Sequence, residues 1–359
     1  MLEAILCSAG YRTGLYTSPH LLRYNERVRI AGRDADDAAL CEAFAAVESA
    51  RGNVPLTYFE FGTLAAFFLF SKQKLDAAIL EVGLGGRLDA VNIVDADCAV
   101  LTSIGIDHVE YLGATREDIG REKAGIFRAG KPAVVADPLP PKSVLEQSQR
   151  IDSRLFLLGR DFGYVNQGTQ WSCWGPAGKR SGLAHPAMRG VAQLRNASAA
   201  IAALDTLRER LPIALQDVRR ALAEVVLPGR FQVLAGRPQV VLDVAHNAEA
   251  AAVLAANLGA SGFSPETIAV FGMLRDKDIA GVVRAVAPRI TRWHLATLPG
   301  PRGADARFLS SILHELKIQT PAAEHDSVAE ALAAARREAA ENDKIIVFGS
   351  FLTVAGAYG

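Results

Sequence analysis

The sequence predicts an α/β protein with two domains, each built on a mostly parallel sheet. With 359 residues, half of them hydrophobic, the chain is long enough to bury two cores. Short apolar runs alternate with helical segments, which is typical of parallel sheets. A Leu-Pro-Gly-Arg turn at residues 227–230 separates two such series. We therefore expect one domain over residues 1–228 and a second, Rossmann-like domain over residues 229–359.

The composition excludes several classes of function. Lys plus Arg and Asp plus Glu both number 39, and no basic tract occurs, so a nucleic-acid partner is not expected. No signal peptide is present, and the apolar run at 64–70 is too short to span a bilayer. Four scattered cysteines show no zinc-binding spacing and suit a reducing compartment. We expect a cytoplasmic monomer that acts on small molecules, without a membrane partner.

The elements of the first domain follow from apolar periodicity and capping residues. A helix over residues 1–9 precedes a short strand at 13–16. Helices are then expected at 35–51, at 57–73 and after the N-cap residue Thr115. Further strands are expected at 75–80, 98–103 and 132–136. The irregular pattern of residues 150–190 indicates short antiparallel strands. Helices are expected after them at 193–210 and 215–225.

The second domain repeats the strand–helix alternation. Its strands are expected at residues 240–242, 268–271, 293–297 and 345–348, with helices at 248–257 and 328–340 among the segments between them. The alternation predicts a parallel sheet.

The stretch 81–92, Glu-Val-Gly-Leu-Gly-Gly-Arg-Leu-Asp-Ala-Val-Asn, is the centre of the first domain. Glu81 follows an apolar strand, and ligands in open α/β sheets bind at the carboxyl ends of strands. The glycines allow backbone to approach a ligand closely. A strand-end glutamate beside a flexible loop is the structural alternative.

Two further polar positions follow strands of the first domain. Ser18 comes after the strand at 13–16, and His108 comes after the strand at 98–103. With Glu81 they form a candidate site for Mg²⁺, which takes few protein ligands and shares the rest with water and phosphates. His108 as an ordinary hydrogen-bonded histidine, and Lys123 as a solvated lysine, are the alternatives.

Strand ends in the second domain show the same design. Asp243 ends an apolar strand, and His246 lies three residues on, just before a helix whose N-terminus offers free N–H groups to an anion. The loop at 271–278 contains Lys277 and Asp278. A charged turn is the alternative for either loop taken singly.

Taken in order, these segments resemble a known family. They are residues 16–20 (YTSPH), 81–92, 105–108 (GIDH), 122–128 (EKAGIFR), 193–197 (QLRNA), 228–230 (PGR), 243–247 (DVAHN) and 348–355 (FGSFLTVA). The set is similar to the bacterial dihydrofolate synthase/folylpolyglutamate synthase group of the Mur ligase family. The resemblance implies a P-loop-type ATPase domain with a mostly parallel sheet and a C-terminal Rossmann-like glutamate-ligase domain.

The resemblance also implies a reaction. A substrate carboxylate takes the γ-phosphoryl group of ATP to form an acyl phosphate, and the amine of L-glutamate attacks it. The carboxylate would come from dihydropteroate or a reduced folate. ATP and Mg²⁺, with two ions, are the implied cofactors.

Residue roles come from the same resemblance. Ser18, Glu81 and His108 match metal ligands, and Lys123 matches a catalytic lysine that is carbamylated. Asn196, Arg230, Asp243 and His246 match nucleotide contacts, with Arg230 and His246 also acting in catalysis. The substrate-side positions are Pro19, His20, Phe59, Phe61, Arg87, Asp89, Lys277 and Asp278.

One part of the family pattern is absent from the sequence. The family carries a strand and a P-loop before the helix that lies at residues 1–9 here, and no G-x-x-x-x-G-K-[ST] segment occurs. We therefore expect that the ATPase domain is incomplete at its N-terminus and that the natural reading frame begins before Met1. Two alternatives stay open: a Mur-type ligase for another carboxylate, and an inactive fragment that only binds folate or partners.

Overall fold

A computed structural model describes residues 1–358 of the chain. The chain divides into two compact units. The first comprises Met1–Ala187 and Leu194–Val225, and the second comprises Met188–Gln193 and the residues from Val226 onward. The sequence prediction placed the division after residue 228, and it did not separate residues 188–193 from the first domain.

The first unit contains three sheets and the helices around them. Its strands are β1 (Thr13–Tyr16), β2 (Val28–Ile30), β3 (Arg33–Asp34), β4 (Ala77–Leu80), β5 (Ala99–Leu101), β6 (Pro132–Val135), β7 (Arg154–Leu157), β8 (Gly163–Asn166), β9 (Gln170–Gly175) and β10 (Gly178–Ala184). Its helices are α1 (Leu2–Ser8), α2 (Asp37–Arg51), α3 (Tyr58–Ser71), α4 (Val109–Leu112), α5 (Arg116–Lys123), α6 (Lys142–Arg150), α7 (Gln193–Thr206) and α8 (Leu215–Glu224).

The strands of the first unit do not form the single, mostly parallel sheet that was expected. One sheet has the order β3-β2-β1-β4, in which only β1 and β4 are parallel. Another has the order β5-β6-β7 and is wholly parallel. The antiparallel strands β2 and β3 were missed because they are three and two residues long, too short to show a period.

Residues 154–184 also differ in part from the expectation of antiparallel strands. Strands β8, β9 and β10 form an antiparallel sheet, as expected, but β7 pairs in parallel with β6. The antiparallel sheet buries Trp171 against Leu194 and Ile201 of α7. Helix α7 ends at Thr206 rather than at residue 210.

The second unit is a single six-stranded sheet with helices between its strands. Its strands are β11 (Gln232–Leu234), β12 (Gln239–Asp243), β13 (Thr267–Phe271), β14 (Arg292–Ala296), β15 (Ala322–His325) and β16 (Lys344–Phe348). Its helices are α9 (Ala248–Ala260), α10 (Ile279–Val286), α11 (Ala306–Glu315), α12 (Val328–Glu338) and α13 (Phe351–Gly356).

The sheet of the second unit has the order β11-β12-β16-β13-β14-β15. Its strands are parallel except for β11, which pairs antiparallel with β12. Central strand β16 is buried along its whole length, as strands covered on both faces are. The core is centred on Phe271, which contacts Trp293 and Phe348 with ring centroids 5.7 and 4.9 Å away.

Within residues 1–358, no helix is both long enough and apolar enough to cross a membrane.

Candidate active site

The glycine-rich loop after β4 is held in shape by Asp89. Its Oδ2 atom accepts hydrogen bonds from the backbone N–H groups of Gly83 and Leu84, both at 2.9 Å. Its Oδ1 atom accepts the N–H of Val91 at 3.0 Å. The carboxylate expected to contact substrate therefore also organises the loop.

The same loop lies against the C-terminal end of α5. The backbone N–H of Arg87 donates to the carbonyl of Glu122 at 2.9 Å, and its guanidinium pairs with the Glu122 carboxylate at 3.0 Å. A Cβ atom on Gly86 would lie 2.8 Å from the same carbonyl oxygen, so only glycine fits there. The loop and Lys123, the last residue of α5, are thereby fixed to each other.

Glu81 and Lys123 line one cavity of about 490 Å³. The cavity runs along β4 and β5 and is also lined by Gly85, Asn92 and Ser103. The structure therefore brings together a carboxylate, a lysine and the glycine-rich loop at the end of β4. These positions are separated by up to 42 residues in sequence, from Glu81 to Lys123.

Strand β1 brings the residues around Ser18 to Glu81, because β1 and β4 run side by side in the same direction. Atom Oε2 of Glu81 accepts hydrogen bonds from the Thr17 hydroxyl and, at 3.1 Å, from the Ser18 N–H. Atom Oε1 has no hydrogen bond among residues 1–358, and Glu81 is exposed. An exposed carboxylate oxygen of this kind fits a hard cation such as Mg²⁺.

His108 lies on an exposed turn at the start of α4. Its backbone is left-handed, with φ 51°, and its N–H donates to the Asp107 carboxylate at 2.8 Å. Within the described residues 1–358, no group of three or more His, Cys, Asp or Glu side chains is arranged to hold a metal. The metal-ligand role of His108, like those of Ser18 and Glu81, stays a prediction.

Asp137, which sequence reasoning missed, positions the loop that leads to His108. It is buried at the end of β6 and accepts the N–H of Ile104 at 2.8 Å. Arg116 donates to the same carboxylate oxygen at 2.9 Å and to the Ile104 carbonyl at 2.8 Å. An aspartate two residues after a strand was the available signal.

The residues expected on the substrate side differ in exposure. His20 Nδ1 accepts a hydrogen bond from Arg27 Nε at 2.8 Å, and burial, followed by the Arg27 charge, lowers the pKa of His20. Pro19 is exposed. Phe59 and Phe61 are half-buried and pack on the core between α2 and α3, and their substrate-side role stays a prediction.

Tyr58 is the exposed aromatic residue of this region, with 64% of its surface accessible. The Arg27 guanidinium lies 5.2 Å from its ring centroid, and the Tyr24 ring meets it edge-on at 6.0 Å. An aromatic face presented in this way suits stacking on a planar ligand.

A second polar cluster lies at the end of β12 in the second unit. Asp243 accepts the N–H groups of Phe231 at 2.9 Å and Ala245 at 2.8 Å, yet burial raises the pKa of Asp243 to about 6. His246 Nδ1 lies 2.9 Å from the Val244 carbonyl, which can only accept, so Nδ1 carries the proton.

Phe351 connects the other members of this cluster. Its ring lies 5.4 Å from the Arg230 guanidinium and 6.2 Å from the His246 ring. Phe351 was not singled out from the sequence, although it lies inside the segment 348–355. Its signal was an aromatic residue following a strand and a Gly-Ser turn.

The remaining predicted residues lie on other elements. Asp278 caps α10 by accepting the Gly281 N–H at 2.8 Å, and Lys277 precedes it. Asn196 lies in the first turn of α7 and is half-buried. Their binding roles stay predictions.

Comparison with known proteins identifies the family. The Mur ligase middle domain matches residues 49–204, and the Mur ligase glutamate ligase domain matches residues 229–351. Dihydrofolate synthase/folylpolyglutamate synthase of Escherichia coli (strain K12) is 45% identical over 354 residues, a match that covers 99% of this chain and 81% of the relative.

Solved structures agree with the sequence comparison. A structure of E. coli FolC in complex with DHPP and ADP matches 99% of this chain and 83% of its own, with a TM-score of 0.94 and 44% identity. A bifunctional folylpolyglutamate synthase/dihydrofolate synthase with Mn, AMPPNP and L-glutamate bound matches with a TM-score of 0.90 and 45% identity, over 99% and 84% of the two chains. This chain therefore belongs to the dihydrofolate synthase/folylpolyglutamate synthase family of Mur ligases.

Proposed function

We propose that the protein catalyses ATP-dependent ligation of L-glutamate to dihydropteroate, to reduced folates, or to both. Its relatives carry the names of these two activities, and related structures hold ADP, AMPPNP, Mn and L-glutamate. One observation in this chain carries the proposal. Glu81 and Lys123 line the same cavity, next to the glycine-rich loop that Asp89 holds in shape.

The reaction proceeds in two steps. A carboxylate oxygen of the folate substrate attacks the γ-phosphorus of ATP, and the bond to the β-phosphate oxygen breaks to release ADP. The amine of glutamate then attacks the acyl carbon, inorganic phosphate leaves, and the amine loses a proton. Phosphoryl transfer of this kind depends on positioning and on neutralising charge.

Residues of the first unit serve the phosphoryl step. Glu81, with Ser18 and His108, would hold divalent metal, two ions in all, which supplies charge neutralisation at the phosphates. Lys123 would act as a carbamate, because carbamylation turns its cation into an anion able to orient a metal. Its place in the cavity with Glu81 supports this role.

Residues of the second unit serve nucleotide and glutamate. Arg230, Asp243 and His246 would contact ATP, and Phe351 lies beside Arg230 and His246. Asn196, which belongs to the first unit, would also contact ATP. Lys277 and Asp278 would contact glutamate. On the folate side, His20 and Tyr58 supplement Pro19, Phe59, Phe61, Arg87 and Asp89.

We also propose that the protein works in the cytoplasm as a monomer. Analytical ultracentrifugation at the protein concentration used in the activity assay would measure the oligomeric state.

The test is incorporation of radiolabelled glutamate with ATP and Mg²⁺. Dihydropteroate, tetrahydrofolate and a UDP-sugar peptide are offered in parallel, and ADP is measured in the same tubes. Product with either pteridine substrate supports the proposal. Product with the peptide alone would establish another Mur-type ligase. Binding of dihydropteroate without ADP release from any substrate would establish a folate-binding protein without ligase activity and would overturn the proposal.

A further inference from the structure

The side chain of Asn92 joins the glycine-rich loop to the segment that follows Lys123. Its Nδ2 atom donates to the carbonyl oxygens of Arg87 at 3.1 Å and of Gly125 at 3.2 Å. Its Oδ1 atom accepts a hydrogen bond from Nη2 of Arg128 at 3.0 Å. One half-buried amide therefore holds together Asn92 and Gly125, which lie 33 residues apart in the sequence.

The hydrogen-bonding partners fix the orientation of this amide. The two carbonyl oxygens can only accept, and the guanidinium of Arg128 can only donate, so Nδ2 must face the carbonyls and Oδ1 must face the arginine. Both N–H donors of the amide are then engaged, which leaves none for a ligand although Asn92 lines the cavity. Aspartate has nearly the same shape but, when ionised, would set an oxygen against two carbonyl oxygens.

Arg128 supports the same contact from the other side. Its Nη2 also donates to the main-chain carbonyl of Asn92 at 2.7 Å, and its Nη1 donates to the carbonyl of Phe127 at 3.2 Å. Its ion pair with Asp95 contributes little, because 85% of the aspartate side chain is accessible to solvent. The guanidinium of Arg128 therefore acts mainly by fixing Asn92.

The contact with Gly125 bears on the position of Lys123. Lys123 ends α5, and Ala124–Ile126 continues from it as a short 3₁₀ helix with Gly125 at its centre. Lys123, Asn92 and Glu81 all line the cavity. The carbonyl that accepts from Asn92 is thus two residues from the lysine, and Asn92 ends the segment that Glu81 begins.

We propose that Asn92 is a positioning residue of the ligation reaction, which sets the place of Lys123 relative to Glu81 without touching the substrates. The inference rests on the proposed function, in which both of these side chains serve the phosphoryl step. Reacting groups must be placed to within about 1 Å, and an error of that size costs on the order of 100-fold in rate. Loss of the amide contact would shift Lys123 and leave the residues proposed to contact glutamate in the second unit unchanged.

The test compares Asn92→Asp and Asn92→Ala with the control Ser148→Ala. Ser148 lies in α6 of the same unit and does not line the cavity, and its buried hydroxyl lies 2.7 Å from the hydroxyl of Ser153. Steady-state ligation gives kcat and the KM for ATP. Urea unfolding gives the stability of the first unit, and hydrogen exchange is followed at residues 123–127.

We expect Asn92→Asp to lower kcat by about 100-fold and to change the KM for ATP by less than about threefold, because a positioning residue acts on the chemical step. Asn92→Ala loses the hydrogen bonds without the repulsion and should lower kcat by about tenfold. A side chain that only filled space would give the reverse order, since aspartate is nearly isosteric. Exchange at residues 123–127 should become faster in both variants. Ser148→Ala should lose stability yet keep the wild-type kcat and the wild-type exchange.

Full kcat in Asn92→Asp, a larger loss in Asn92→Ala than in Asn92→Asp, or an equal loss in Ser148→Ala would overturn the inference. If Asn92→Asp does not fold, Asn92→Ala decides: wild-type kcat and exchange in that variant would overturn the inference, and slower turnover with faster exchange would support it. A wild type that ligates none of the substrates would refute the proposed function and this inference together. In a wild type that does ligate, the contrary results refute the inference alone.

Discussion

Gly125 lies directly against Arg87: a Cβ atom on Gly125 would come within 2.4 Å of the Arg87 Cβ and 2.6 Å of its Cα. This contact joins the segment after α5 to the glycine-rich loop after β4. Backbone is part of the contact, so a side-chain rotation cannot relieve it.

Gly125→Ala should therefore destabilise the first unit by about 2–3 kcal/mol, the cost of overpacking a tight contact. Urea unfolding followed by fluorescence of Trp171 and Trp174, in a Trp293→Phe background, reports on this unit. The control Ala129→Ser, at an exposed position four residues on, should change the free energy of unfolding by less than about 0.5 kcal/mol. Equal stability of the two variants would contradict the packing described for Gly125.

Asp89→Ala should loosen the glycine-rich loop, because three backbone N–H groups lose their acceptor. Hydrogen exchange at Gly83 and Leu84 should speed up by about tenfold or more, in line with the loss of a charged hydrogen bond. Asp95→Ala removes an exposed carboxylate a few residues on and should leave those two amides unchanged. Unchanged exchange in Asp89→Ala would show that the loop holds its shape without this residue.

Glu81→Ala and His108→Ala should each lower glutamate incorporation by about 100-fold or more with the fold intact, since metal charge matters most in the transition state. Glu110→Ala changes an exposed acidic residue two positions after His108; it is the control and should keep full activity. Wild-type turnover by either variant at saturating Mg²⁺ would refute the assignment of that residue as a metal ligand.

Lys123→Ala should lose activity, and acetate should restore part of it by replacing the carbamate. Arg121→Ala, exposed on the same helix, should remain active and insensitive to acetate. An active Lys123→Ala enzyme would leave the lysine as a cavity-lining charge without a catalytic role.

Asp243 should make the stability of the second unit depend on pH. Burial raises its pKa from 3.8 to about 6. Between these two pH values the carboxyl group is therefore protonated in the folded state and ionised in the unfolded state. Protonated Asp243 contributes roughly 3 kcal/mol to the free energy of unfolding of this unit. This contribution is fully present below pH 3.8 and is lost as the pH rises through 6.

Asp243→Asn should remove that pH dependence. Unfolding followed by Trp293 fluorescence in a Trp171→Phe, Trp174→Phe background isolates the second unit. Asp326→Asn, an exposed carboxylate in the same unit, should keep the wild-type slope. Parallel curves for the wild type and Asp243→Asn between pH 4 and 6 would contradict the effect of burial on Asp243.

Elements whose apolar pattern is local can be predicted without the structure. Thr115 as an N-cap, β1 at Thr13–Tyr16 and the parallel strands β12, β13, β14 and β16 all follow from periodicity and capping. The glycine-rich segment 81–92 was also readable, because glycines followed by a loop aspartate mark a tight turn. The family of the protein could be predicted from the order in which this segment and the other motifs occur along the chain.

Which residues come into contact depends on the packing of elements that are distant in sequence. Sheet pairing set β4 beside β1 and so brought Thr17 and Ser18 to Glu81, a contact across more than 60 residues that no local pattern encodes. Packing likewise turned Phe59 and Phe61 toward the core and left Tyr58 exposed, although all three lie in one aromatic run. Periodicity fixes which face of an element is apolar. The partner of that face depends on long-range contacts alone.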